Sequence, residues 1–94
     1  MEFNKGDIYE FTQTYNVVTS KGIVFICKGT RVKVVDNGIT TIGLEFPQYI
    51  KGFNSCCGNT KTGHGYYFAY NMAEKLLKKV KTKKINMEAY RDGV

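Results

Sequence analysis

Arg31-Val32-Lys33-Val34-Val35-Asp36-Asn37-Gly38-Ile39-Thr40-Thr41-Ile42-Gly43-Leu44-Glu45-Phe46 is the stretch that decides the fold. Its first part alternates charged and apolar residues, so Val32 and Val34 face inward while Arg31 and Lys33 face water. Asp36-Asn37-Gly38 is the strongest turn signal in the chain, because Asn and Gly tolerate the positive φ angles of tight hairpins. Thr40–Phe46 then returns with Ile42, Leu44 and Phe46 at a period of two. Pro47 ends it, since proline has no N–H to give to a sheet ladder.

Toward the N-terminus, Lys28-Gly29-Thr30 reads as a turn. Ile23-Val24-Phe25-Ile26-Cys27 is an apolar run whose length and β-branched content predict a buried strand, with Cys27 as a small core residue. Tyr15–Ser20 reads as a loop or short extended piece. Asp7–Thr12 is rich in β formers and reads as a strand.

Toward the C-terminus, residues 48–63 show no clear period and form a long loop, which in a compact domain is functional or locally packed. Gly65-Tyr66-Tyr67-Phe68-Ala69-Tyr70 is the last strand expected. Asn71 is placed to cap a helical end in which Met72, Leu76 and Val80 share one stripe. The order predicts a mostly β fold, a small antiparallel barrel with a short C-terminal helix. Gly22, Gly29, Gly43 and Gly65 are placed to relieve its bends. The barrel domain is expected over residues 1–77, with a basic helix or tail over 78–94.

Ninety-four residues make one domain. Six Phe and seven Tyr are enough aromatics to fill a small core. No apolar run reaches the roughly 18 residues of a membrane span, and Met1–Lys5 has no hydrophobic signal region, so the expected location is the cytoplasm. The three cysteines are an odd number, and Cys56 and Cys57 are adjacent, which makes a poor disulfide framework. The net charge of +6 is uneven: residues 74–94 hold seven Lys or Arg against three acids, and residues 1–73 seven against five. The C-terminal excess suits nucleic acid, an acidic protein surface, or a solvated helix face.

Gly52–Phe68 joins a glycine-rich loop, two neighbouring thiols and the single histidine to an aromatic run. Structural zinc takes four ligands, usually as two separated pairs, and adjacent cysteines seldom aim both sulfurs at one ion. A Cys–His nucleophile needs a thiolate beside a base, and the sequence offers no third group to orient that base. Gly58–Gly63 lacks the order of a phosphate-binding loop and precedes a strand, where such a loop opens a helix. The expectation is therefore no metal, no cofactor and no catalysis.

Two binding functions remain. A protein contact would use Tyr15, Arg31, Tyr49, Phe53, Lys61, His64 and Tyr66, since Tyr and Arg are favoured interface anchors. An open sheet edge would also allow strand pairing with a partner or a homodimer. A nucleic-acid contact would use Lys33, Lys78, Lys79, Lys81, Lys83 and Lys84 on phosphates, with Tyr66 or Phe68 stacking on bases. Alternation lets either Tyr67 or the pair Tyr66 and Phe68 face outward, not all three.

Lys28-Gly29-Thr30-Arg31-Val32-Lys33-Val34-Val35 followed by Ile42-Gly43-Leu44-Glu45-Phe46 resembles small SH3-like β-barrel proteins of bacteriophage genomes. Cys57-Gly58, Lys61 and Gly63-His64-Gly65-Tyr66-Tyr67 resemble the later loop and strand of the same family, and the likeness runs over residues 20–77. One departure is that relatives often carry a Gly-His pair early in the loop, where this chain has Gly52-Phe53 or Phe53-Asn54. The resemblance implies a phage accessory protein that binds a host protein, in defence, nuclease or transcription machinery, and modulates or inhibits it. A shared fold does not by itself fix that activity.

Overall fold

Val32, Val34, Ile42, Leu44 and Phe46 are all buried, as their alternation requires. The computed structural model describes residues 3–56 and 60–80. In chain order the elements are β1 (Ile8–Phe11), β2 (Tyr15–Thr19), β3 (Gly22–Ile26), β4 (Arg31–Asn37), β5 (Thr41–Glu45), β6 (Gly65–Ala69), α1 (Tyr70–Leu76) and β7 (Leu77–Lys79). Among the described residues the fold is mostly β with one short helix.

Five strands form one antiparallel sheet in the order β6-β5-β4-β1-β7, while β2 and β3 form a separate two-stranded sheet. The ladder does not close into a ring: β6 and β7 are its two ends. A bulge between Val34 and Asp36 bends β4 as it passes from β1 to β5. Two of the glycines expected to relieve bends, Gly22 and Gly29, have positive φ, at 124° and 92°. Gly43 and Gly65 lie in strands and are crowded by neighbouring atoms instead.

Of the two readings of Tyr15–Ser20, loop or short extended piece, the second holds: Tyr15–Thr19 is a strand, paired residue for residue with β3 from Tyr15↔Ile26 to Thr19↔Gly22. Other local expectations are corrected. Cys27 is exposed, because β3 ends at Ile26 and the alternation that buries Ile26 turns the next side chain outward. The helix ends at Leu76, and its first cap is Ala69, without a side-chain hydrogen bond, in place of Asn71. Leu77 is extended (φ −116°, ψ 145°), and the chain returns as β7 onto β1, so Val80 continues that ladder and is not part of a helical stripe. Packing Leu77 beside Phe11 wins over a longer helix here, since it buries an apolar side chain in the main core.

The core combines aliphatic side chains with a cluster of aromatic rings. Phe46 sits 5.0 Å from Phe53, 6.0 Å from Phe11 and 6.4 Å from Phe68, centroid to centroid. Each such ring contributes about 1.5–3 kcal/mol on burial, with a further fraction from edge-to-face geometry. Val17 and Ile26 complete the core from the inner face of the β2–β3 hairpin. At the other end Glu10 accepts contacts from cations on both flanking strands, Arg31 Nε at 3.3 Å and Lys78 Nζ at 3.9 Å. Asp7 Oδ2 is shielded and lies 3.3 Å from Lys79 Nζ, an ion pair without hydrogen-bond alignment.

Candidate functional site

The loop after β5 is held by short-range backbone bonds and by its own side chains. Ile50 N–H donates to Gly63 O, and Asn54 and Gly65 exchange both of their backbone hydrogen bonds. Phe53 is turned into the core at 3% exposure and stacks on Tyr66 (centroids 4.7 Å, planes 27° apart). Cys56 is at 0% exposure, with Sγ 3.8 Å from Leu44 O and its N–H on Thr60 Oγ1. His64 Nδ1 lies 2.9 Å from Phe46 O. A carbonyl only accepts, so Nδ1 carries the hydrogen and Nε2 is the acceptor of the neutral ring. The histidine is thus tied to backbone, and the thiol of Cys56 is closed to solvent.

The structure brings four of the sequence-derived residues together. Arg31, Lys33, Lys61 and His64 line one open groove of about 440 Å³, floored by Ile8, Phe46 and Pro47 and containing one carboxylate, Glu45. Three fixed cations face Glu45 here, and Glu10 pairs with Arg31 from beside the groove at 3.3 Å, so the surplus is one positive charge. Tyr49 is exposed and meets His64 edge-on at 6.4 Å.

The remaining candidates are scattered. Tyr15 is half-buried and packs toward Phe68 at 6.2 Å, on the far side of the hairpin. Phe68 is buried at the core, Tyr66 is half-buried against Phe53, and Tyr67 is the ring that faces out. Phe53 and Phe68 are therefore core residues in this conformation. Lys78 and Lys79 are exposed on β7, with Glu10 on β1 and Asp7 just before it as acidic neighbours. Lys81, Lys83 and Lys84 lie outside the described residues, as does Cys57.

One surface was missed by sequence reasoning. On the β2–β3 hairpin, Val17, Val24 and Ile26 face the core, while Val18 (74% exposed), Ile23 (60%) and Phe25 (67%) face solvent on the opposite side. Val18 and Ile23 are directly cross-strand, and Phe25 lies two residues along from Ile23. The signal was present as apolar residues at both phases of the alternation. It reads equally as a strand buried on both faces.

Among the described residues no group of three or more His, Cys, Asp or Glu side chains is placed to hold a metal ion. No helix among them is long and apolar enough to cross a membrane. Comparison with known proteins gives no match to any family model, curated protein or solved structure.

Proposed function

We propose that this chain is a non-catalytic binding module whose partner is a protein and whose principal contact is the outer face of the β2–β3 hairpin. The observation that carries the reading is the exposure of Val18, Ile23 and Phe25 on the outer face of a hairpin that is not paired with the main sheet. Large apolar side chains gathered on one exposed face are the material of interface cores. The non-catalytic part is supported by the closure of Cys56, since a nucleophile must reach its substrate.

The SH3-like barrel belongs to the same proposal. Its support is the return of β7 onto β1 and the position of the hairpin, which leaves the sheet between β1 and β4 and covers the core. Following the phage resemblance, the partner is a host protein of defence, nuclease or transcription machinery, the effect is modulation or inhibition, and the site of action is the host cytoplasm.

A second reading, nucleic-acid binding, draws on the clustering of Arg31, Lys33 and Lys61 in one groove. Affinity capture from nuclease-treated host lysate separates the two. The expected result is a stoichiometric host protein captured by the wild-type chain and lost with the combined Val18→Ser, Ile23→Ser and Phe25→Ser variant. Recovery of nucleic acid alone from untreated lysate overturns the protein-binding reading.

A further inference from the structure

We infer that the groove beside β3 and the basic groove at His64 together form a track for one extended, acidic peptide segment of the partner. This rests on the protein-binding reading above and names the chemistry of what is bound.

The first observation is an open strand edge. The two-residue turn Ser20-Lys21 makes Thr19 and Gly22 the hydrogen-bonded closing pair of the hairpin. Ladder alternation then directs the backbone N–H and C=O groups of Ile23 and Phe25 away from β2. No strand among the described residues pairs with that side of β3. Such a row of unpaired groups is a template for an added strand.

The second observation is the ground beside that edge. A groove of about 310 Å³ runs between β3 and the segment after β5, with Val24, Ile26 and Ile50 as apolar lining and Phe25 and Gln48 at its rim. It shares Arg31, Phe46 and Pro47 with the larger groove at His64, so the two adjoin. A segment that pairs with β3 runs out along this floor onto Arg31, Lys33 and Lys61.

Charge selects the occupant. The basic groove presents Arg31, Lys33 and Lys61, with Glu45 in its lining and Glu10 beside Arg31, and the positive excess that remains favours carboxylates over a basic segment. Glu10 partly occupies Arg31 at 3.3 Å, so removing that carboxylate frees a guanidinium for the ligand. An acidic peptide fits better than a nucleic-acid strand, because the apolar half of the track offers an aliphatic floor and a backbone edge. Exposed rings flank the track only at Phe25 and Tyr49 among the described residues, which falls short of the row of stacking platforms a nucleic-acid strand uses.

The test is fluorescence anisotropy on the full chain with a labelled peptide of alternating Glu and Val, about ten residues and roughly 33 Å when extended. A Lys-Val peptide and a single-stranded oligonucleotide serve as competitors. The expected result is saturable binding of the Glu-Val peptide that weakens with salt. The combined Lys33→Glu and Lys61→Glu variant is expected to weaken it about tenfold or more. Phe25→Pro, which removes an outward-facing edge donor, lowers affinity while circular dichroism stays unchanged. Glu10→Gln tightens binding several-fold by about the strength of one exposed charge pair.

Equal binding of the Lys-Val peptide, no binding of the Glu-Val peptide, or displacement by the oligonucleotide at lower concentration each overturn the inference. If the Lys33→Glu and Lys61→Glu variant captures the host protein as well as wild type does, the acidic track fails and the protein-binding reading stands. If the wild-type chain binds the peptide but captures no host protein, the track stands and the broader reading fails.

Discussion

The imidazole of His64 takes the place of its own backbone N–H opposite Phe46. In an antiparallel ladder, residues of a hydrogen-bonded pair exchange two N–H···O bonds. Phe46 N–H does donate to His64 O at 2.7 Å, one step beyond the Glu45↔Gly65 pair that ends the β5–β6 register. The reciprocal bond to Phe46 O comes from Nδ1–H at 2.9 Å, while the backbone N–H of His64 turns to Lys61 O at 3.0 Å. One residue thereby both extends the sheet and closes the loop turn. His64→Ala removes the donor and leaves a partly buried carbonyl unpaired, at a cost of about 1–2 kcal/mol. Urea unfolding measures the loss, and the ¹⁵N shifts of the ring check that Nδ1 is the protonated nitrogen. An unchanged unfolding midpoint, or an Nε2–H tautomer, contradicts this role.

Gly65 is where the same loop comes closest to the sheet. A Cβ built there meets Cys56 N at 2.7 Å and Asn54 O at 2.9 Å, both backbone atoms that side-chain rotation cannot move. Gly65→Ala is therefore expected to cost about 2 kcal/mol or more through forced backbone displacement. It also breaks the two-way bond between Asn54 and Gly65. Thermal unfolding with hydrogen exchange at Asn54 checks both effects. A variant as stable as wild type would show that the loop backbone yields freely.

The hairpin of β4 and β5 was legible because one face is wet and the other dry, so charge and apolarity alternate at Arg31–Val34. Strand β2 was not legible in the same way. Tyr15-Asn16-Val17-Val18-Thr19 carries apolar residues at both phases, since its outer face is apolar yet uncovered. Cys27 was misjudged for the related reason that a continuous apolar run resembles a strand buried on both sides. Val80 was placed on a helical stripe because Met72, Leu76 and Val80 share helical spacing, and only the pairing of Leu77 with Phe11 shows where the helix stops. Of the site, Arg31, Lys33, Lys61 and His64 were each picked from the sequence. Their convergence on one groove depends on Glu45, Phe46 and Pro47 lying between them, which no local pattern encodes.

The two described cysteines differ in accessibility. Cys27 is exposed after β3, and Cys56 is fully buried beneath Leu44. Reaction with a thiol reagent follows access to the sulfur. Brief alkylation of the native chain, mapped by peptide mass spectrometry, is expected to modify Cys27 and to spare Cys56 until denaturant is added. Modification of Cys56 at the native rate would place its sulfur at the surface and reopen the possibility of chemistry beside His64.

The outer hairpin face gives the sharpest separation of stability from function. Val18, Ile23 and Phe25 are mostly in solvent, so replacing all three by Ser removes little apolar area that folding buries. The expected change in unfolding free energy is within about 0.5 kcal/mol per site. The inner-face residue Val17, by contrast, is 5% exposed and packs in the core, so Val17→Ala leaves a cavity and costs on the order of 1–2 kcal/mol more. Urea titrations of the triple variant and of Val17→Ala check the contrast directly. A triple variant that unfolds as easily as Val17→Ala would mean the outer residues hold the hairpin together, and their exposure would then say nothing about a partner.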